Sequence, residues 1–178
     1  SSHPDILCYG EIFLATARYG GAMFVPPGRD NFLYSEYKNS SFTSRIDKRF
    51  RKRTYTYRFL SEFNQREKDV KALGFKLMYS DIKGNPYIFD WIIHNNVKII
   101  HLVRMNVLRA TLSGIMSVER GDVAHATRKL GMVTIRINPE ELITKMERHS
   151  ALINLFRRKI SKDGNHIEVG YEAFVDNR

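Results

Sequence analysis

Arg104 and Ser113 lie in a stretch whose residue types suit the binding of a negatively charged group. The stretch VKIIHLVRMNVLRATLSGIMS begins with β-branched residues and continues as a helical pattern. Arg104 follows the predicted strand, where its planar guanidinium can meet a phosphate in a bidentate contact. The helix start adds backbone N–H donors, and Ser113 adds a hydroxyl about two turns into the helix. On these residues alone, a surface ion pair for Arg104 and an ordinary helical position for Ser113 remain open.

The other titratable side chains do not form a recognisable cluster in the sequence. His101 lies inside a predicted buried strand, where a hydrogen-bonded core histidine is expected rather than a catalytic one. No pair of His, Cys, Asp or Glu residues has the spacing of metal ligands, so we predict no metal site. A single cysteine, Cys8, excludes an intrachain disulfide framework and is expected to be a small buried residue. This cysteine content fits a reducing, cytoplasmic compartment.

Strands and helices alternate along the chain. Proline and asparagine mark helix starts at Asn85-Pro86, Asn106 and Asn138-Pro139. The predicted helices cover residues 61–73, 86–94, 106–120 and 139–162, and the predicted strands cover residues 75–79, 97–103, 132–137 and 167–174. This order predicts an α/β fold, a three-layer sandwich with a mostly parallel sheet between helices. Ligands of such sheets bind beyond the carboxyl ends of the strands, so the turns at 79–85 and 103–106 are the expected functional edge.

The composition predicts one domain and an anionic partner. The 178 residues, 43% of them hydrophobic, are enough for a single domain over 1–178 with a sizeable core. The formal charge of +10 favours nucleic acid, phosphorylated cofactors, acidic glycans or anionic membrane without choosing among them. No apolar run approaches the length of about 20 residues that spans a bilayer. No signal peptide is visible at the start of these residues.

The segment 45–58 combines basic and aromatic residues. Its sequence, RIDKRFRKRTYTYR, can bind single-stranded nucleic acid through backbone contacts and base stacking. The same residues can receive an acidic or sugar acceptor, or form a solvated helix face. A basic nucleic-acid-binding protein without catalytic activity is therefore the alternative function.

Four short segments, taken in order, resemble the sulfotransferases that use 3′-phosphoadenosine 5′-phosphosulfate (PAPS). IHLVRMNVLRATLS is similar to their strand–Arg–loop–helix–Ser segment, in the form found in the bacterial carbohydrate enzymes of the nodulation and trehalose types. HPDILCYGEIF resembles their "His-Pro … Gly-Glu-x-Phe" run and LGFKLMY their "Gly-x-Lys-Leu-Met" strand. VGYEAF resembles their "Tyr-Glu-x-Leu" strand, with Phe174 in place of Leu.

The resemblance implies a fold, a reaction and four site residues. The fold is the sulfotransferase fold, which resembles that of P-loop NTPases, and the reaction is transfer of a sulfonate group from PAPS to a hydroxyl of a carbohydrate or other small acceptor. Arg104 and Ser113 would bind the donor's 3′-phosphate, and Glu11 would be the catalytic base. Lys76 would contact the sulfonate or the acceptor. An ion-paired loop carboxylate at Glu11 and an ordinary solvated lysine at Lys76 remain open.

Two features depart from the family. Its loop of the Arg-[Thr/Ser]-Gly-[Ser/Thr] type, which wraps the 5′-phosphosulfate, does not occur in these residues, and neither does its last helix. A fragment, a chain with missing pieces and a diverged member that no longer binds PAPS are all open. No Gly-rich phosphate loop with lysine is present, which disfavours a nucleotide kinase. Residues 14–58 are expected to form an acceptor-side insert of loops and helix.

Overall fold

The structure, a computed structural model, describes residues 3–13, 28–30, 32–40, 51–119, 134–162 and 165–176. The chain divides into two compact units, Ser1–Asn95 and Asn96–Arg178. Each unit contains helices and one described pair of parallel strands. The predicted α/β class is thereby confirmed at the level of mixed helices and short parallel strands. The three-layer sandwich and the single domain over 1–178 stay predictions.

The first unit is built on the strands β1 (Ile6–Tyr9) and β2 (Ala72–Phe75). They pair in parallel, with Ile6 opposite Ala72 and Tyr9 opposite Phe75. The described helices of this unit are α1 (Tyr34–Ser40), α2 (Lys52–Arg66), α3 (Tyr79–Gly84) and α4 (Tyr87–His94). Helix α4 begins at Tyr87, one residue later than predicted, with Pro86 rather than Asn85 at the N-cap.

The apolar face of α2 packs in the core of the first unit. Four buried side chains recur on this helix at helical spacing: Tyr55, Phe59, Leu60 and Phe63. The ring of Phe59 stacks on that of Phe32, with 4.7 Å between the ring centroids. Full burial of each large apolar side chain contributes about 1.5–3 kcal/mol. This face continues past the exposed Ser61 to Phe63, so Ser61 lies inside α2 rather than at its start. The predicted helix over 61–73 is therefore wrong at both ends.

Glu67 turns into the protein just after α2 ends. Its side chain is 4% exposed and its carboxylate lies 2.8 Å from Arg29 Nη1. The Tyr9 hydroxyl donates to Glu67 Oε1 at 2.6 Å. Burial of a carboxylate is costly unless charged and polar partners surround it. Glu67 has such partners here, and it is the residue directly after the last residue of the helix.

The β1–β2 pair buries one face. Tyr9 is buried, whereas Ile6 and Cys8 are exposed. Residues two apart in a strand share a face, so Cys8 lies on the side opposite to Tyr9. The expectation of a buried Cys8 is therefore wrong.

The second unit is built on β3 (Ile99–Val103) and β4 (His166–Gly170). They pair in parallel, with Ile99 opposite His166 and Val103 opposite Gly170. The described helices here are α5 (Val107–Glu119), α6 (Pro139–Ile160) and α7 (Tyr171–Asp176).

Two predicted helix starts in this unit are confirmed. Asn106 Oδ1 accepts a hydrogen bond from Arg109 N at 2.9 Å. Asn138 Oδ1 accepts one from Glu140 N at 2.8 Å, with Pro139 as the first helical residue. These are the side-chain caps that asparagine forms at helix starts.

The predicted strands of this unit need three corrections. β3 is not buried on both faces, since Ile100 is 70% and Leu102 53% exposed whereas His101 and Val103 are buried. The described residues 134–137 are not in a strand. β4 ends at Gly170, and Tyr171 begins a helix where the sequence predicted a continuing strand over 167–174.

The predicted 14–58 insert lies mostly outside the described residues. The parts that the structure describes are residues 28–30, residues 32–40, which include α1, and the beginning of α2.

Candidate functional site

Glu11 and Lys76 meet at the carboxyl ends of β1 and β2. Lys76 directly follows β2, and its backbone N–H donates to the carbonyl groups of Tyr9 at 3.1 Å and Gly10 at 3.2 Å. Glu11 follows Gly10, so the parallel register of the strands brings the two side chains to the same edge. Lys76 Nζ lies 2.6 Å from Glu11 Oε1. Two residues 65 positions apart, each predicted separately for the site, are thus in direct contact.

The pair is accessible and charged. Lys76 is half-exposed and Glu11 is one-fifth exposed, at 49% and 21% of their side-chain surfaces. A carboxylate at this depth can accept a proton from a bound hydroxyl, and the ammonium can stabilise negative charge on an oxygen. The contact also agrees with the open alternative of an ion-paired loop carboxylate at Glu11. An ion pair of this exposure contributes little to stability.

Asp81 adds a second carboxyl group near this pair, which the sequence analysis did not predict. It lies in the first turn of α3, and its Oδ2 accepts a hydrogen bond from Met78 N at 3.0 Å. Burial raises the pKa of Asp81, the Met78 N–H acts in the opposite direction, and the charge of Glu11 adds to the rise. The only signal for it in the sequence is a polar run, Tyr-Ser-Asp, directly after an apolar segment.

Arg104 lies in the turn between β3 and α5, as predicted. Its side chain is exposed, and its guanidinium carbon lies 4.6 Å from the centre of the Tyr171 ring. Ser113 is exposed on α5. No hydrogen bond between these two side chains occurs in the part of the chain that the structure describes, and their convergence on one phosphate stays a prediction.

Glu172 holds the backbone of this turn. Its carboxylate accepts hydrogen bonds from Met105 N at 2.9 Å and Asn106 N at 3.1 Å. These two bonds, in that order, lower the pKa of Glu172, and the charge of Arg104 lowers it further. Tyr171 and Glu172 were not predicted as site neighbours, because the sequence pattern placed both within a strand.

His101 is a core residue, as the sequence predicts. It is 6% exposed, and its Nδ1 lies 3.0 Å from Glu168 Oε2. Arg157 donates to both oxygens of Glu168, with Nε 2.7 Å from Oε2 and Nη2 2.6 Å from Oε1. The Arg157 guanidinium, more than His101, lowers the pKa of Glu168. This Arg–Glu–His group ties α6, β4 and β3 together.

The basic run begins among residues that the structure does not describe, and only 51–58 can be placed. Tyr55 is buried in the core, and Arg53 lies over the Tyr57 ring at 5.1 Å. The Tyr55 ring is therefore not presented for stacking against a base, and one face of the half-buried Tyr57 ring is covered. Arg53 and Arg58 are both exposed.

The described residues contain neither a metal-binding cluster nor a membrane-spanning helix. No group of three or more His, Cys, Asp and Glu side chains there could hold a metal ion. No described helix combines the length and the apolar character needed to cross a bilayer; α6 has 22 residues but is rich in charged ones.

Comparisons with protein-family models, with curated proteins and with solved structures find no match. The functional assignment therefore depends on the sequence segments and on the geometry of the residues described above.

Proposed function

We propose that the chain is a sulfotransferase domain that transfers a sulfonate group from PAPS to a hydroxyl of a carbohydrate or other small acceptor. In this proposal Glu11 is the base, Lys76 contacts the sulfonate or the acceptor, and Arg104 and Ser113 bind the donor's 3′-phosphate. The finer fold proposed with it is the three-layer sulfotransferase sandwich. The observation that carries the proposal is the 2.6 Å contact between Glu11 and Lys76 at the carboxyl ends of two parallel strands.

The chemistry needs a proton acceptor and a cation at one place. The acceptor oxygen forms a bond to sulfur, while the bond between sulfur and the donor's phosphate oxygen breaks and adenosine 3′,5′-bisphosphate leaves. Glu11 takes the proton of the acceptor hydroxyl. Lys76 stabilises the negative charge on the sulfonate and leaving oxygens. The Glu11–Lys76 contact places the base and the cation side by side, so both can act on one bound substrate.

Arg104 supports the donor side of the proposal. Its guanidinium is exposed at the end of a parallel strand, and its planar N–H groups suit a phosphate. The backbone N–H groups of Met105 and Asn106 beside it are already bonded to Glu172. Within the described residues, the guanidinium stacks on a tyrosine ring and forms no direct ion pair, although its charge acts on the nearby Glu172 carboxylate. The N–H groups of the guanidinium therefore remain open to an oxyanion.

Calorimetry with adenosine 3′,5′-bisphosphate tests the proposal on the full chain. We expect binding by the parent protein and a loss of affinity of about tenfold to a hundredfold for Arg104→Ala, as for the loss of a charge-assisted hydrogen bond. Arg109→Ala is the matched control, because Arg109 is an exposed arginine in the first turn of α5. Absence of binding by the parent chain contradicts the sulfotransferase proposal. Equal binding by Arg104→Ala contradicts only the role of Arg104.

The alternative of a basic nucleic-acid-binding protein draws support from the charge of +10 and from exposed Arg53 and Arg58. The burial of Tyr55 weakens it, because this ring of the basic run cannot stack on a base. Filter binding of DNA and RNA across a salt series separates the two functions. A steep loss of affinity with salt, reduced when Arg49, Arg51 and Arg53 are neutralised, supports the alternative.

A further inference from the structure

The register of β3 and β4 places Arg104 beside Tyr171. Val103, the last residue of β3, is opposite Gly170, the last residue of β4. The chains leave the sheet in parallel, so the next residues of the two strands are Arg104 and Tyr171, followed by Met105 and Glu172. Both pairs are in contact: the guanidinium of Arg104 over the Tyr171 ring, and the N–H of Met105 on the Glu172 carboxylate.

The aromatic contact holds Arg104 without occupying its N–H groups. The guanidinium lies over a ring face 4.6 Å away. The Glu172 carboxylate interacts with its charge but forms no direct ion pair with it within the described residues. Stacking on a ring uses the face of the planar group and leaves its N–H edges for in-plane hydrogen bonds. The side chain remains exposed, so an oxyanion can reach those edges.

Glu172 keeps the backbone that carries Arg104 in place. Its two oxygens accept from Met105 N and Asn106 N at 2.9 and 3.1 Å, and Asn106 in turn caps α5 through Arg109 N. The carboxylate is thus bound to backbone donors on the turn. An arginine that is already oriented loses less rotamer freedom when it binds a ligand, and the affinity for that ligand rises accordingly.

We infer that Tyr171 is a positioning residue that orients the Arg104 guanidinium for an oxyanion by stacking beneath it, on a turn that Glu172 holds in place. The inference rests on the proposed function, in which Arg104 binds the 3′-phosphate of the donor. It adds Tyr171 as the residue that orients the arginine. It also states that Arg104 contacts the phosphate group rather than the adenosine of the donor.

The test measures binding of inorganic phosphate to the full chain by NMR titration, since this probe has no adenosine that could contact the tyrosine ring. Tyr171→Leu removes the ring and is expected to weaken phosphate binding about threefold to tenfold. Tyr171→Phe keeps the ring face and is expected to bind within twofold of the parent. In the Arg104→Ala background, Tyr171→Leu is expected to cause no further loss, because the ring acts through the arginine.

A measurement on the unmodified protein covers the case in which Tyr171→Leu does not fold. The Tyr171 ring current is expected to shift the δ protons of Arg104 upfield, both before and after phosphate is added. An unshifted Arg104 signal overturns the inference. A loss of affinity on Tyr171→Leu that persists in the Arg104→Ala background also overturns it, because the ring would then act by another route.

Parallel titrations with adenosine 3′,5′-bisphosphate separate this inference from the proposed function. If the bisphosphate binds through Arg104 and Tyr171→Leu changes neither affinity, the positioning role is wrong and the sulfotransferase proposal stands. If phosphate binding depends on Arg104 and Tyr171 but the bisphosphate does not bind, the donor assignment fails and the positioning role stands. If neither anion binds, both are wrong.

Discussion

Among single residues, the buried carboxylate of the first unit, Glu67, supports the fold rather than catalysis. Glu67 is buried and is bonded to Tyr9 and paired with Arg29, with Arg66 Nε at 3.7 Å. Glu11, in contrast, is partly exposed and faces Lys76. The burial and the partners of the two carboxylates therefore separate a residue that supports the fold from one that can meet a substrate.

The Tyr9 hydroxyl is expected to contribute to stability in a pH-dependent way. Burial, first, and then the hydrogen bond to Glu67 raise the pKa of Tyr9 to about 12. The pKa of an unfolded tyrosine is about 10. Because the folded value is the higher one, this contribution is complete below about pH 10 and is lost as the pH rises toward 12.

Tyr9→Phe is expected to destabilise the protein by about 1–3 kcal/mol at pH 8, since buried Glu67 loses a donor. It should also show a smaller loss of stability than the parent protein between pH 10 and 11. Urea denaturation at these pH values gives both quantities. Tyr57→Phe is the control, because no described residue bonds to the Tyr57 hydroxyl. Identical urea midpoints for Tyr9→Phe and the parent at pH 8 would contradict the role of the hydroxyl.

Among the helices, α5 and α6 of the second unit begin at side-chain caps. Asn106 fixes the start of α5 two residues after Arg104, and Asn138 fixes the start of α6. Helix α6 also has Glu140 and Glu141 in its first turn and three basic residues in its last, which suits the helix dipole. Its buried residues, Ile153, Phe156 and Ile160, all lie in the second half. The first half therefore depends more on its cap.

Asn138→Ala is expected to lower the free energy of unfolding by about 0.5–2 kcal/mol, because the N–H groups of Glu140 and Glu141 lose their acceptor. Asn138→Asp keeps an acceptor and is expected to remain within about 0.5 kcal/mol of the parent. Thermal unfolding followed by circular dichroism at 222 nm measures both changes. An equal loss of stability in the two variants would show that the amide, rather than the cap acceptor, is needed.

At the scale of the whole molecule, the two compact units have separate spectroscopic and electrostatic markers. Trp91, the single tryptophan, is buried in the first unit. Glu168 is paired with Arg157 and His101 in the second unit. Fluorescence of Trp91 therefore reports unfolding of the first unit. A substitution of Glu168 acts first on the stability of the second unit.

Glu168→Gln is expected to flatten the acid-side loss of stability of the second unit. The folded pKa of Glu168 lies below its ordinary value, chiefly because of Arg157, so its contribution is present above the unfolded pKa and is lost as the pH falls through the folded value. In an acid titration, we expect the ellipticity at 222 nm to fall less steeply in the variant than in the parent. The Trp91 fluorescence curve is expected to be the same in both. A matching shift of the fluorescence curve would contradict separate acid responses of the two units.

Features that depend on neighbours a few residues apart were predictable from the amino-acid sequence. The caps at Asn106 and Asn138 are of this kind, because each is a contact within one helical turn. Asn85-Pro86 gave the start of α4 to within one residue. The α/β class followed from the order of such segments. Which distant side chains meet depends on strand register and packing, and the sequence pattern does not give these. The contact of Lys76 with Glu11 depends on the parallel register of β1 and β2, and that of Arg104 with Tyr171 on the register of β3 and β4. Likewise, α2 runs through Ser61 and ends before Glu67 because the packing of its aromatic face and the burial of a paired carboxylate outweigh the local capping signal at Ser61.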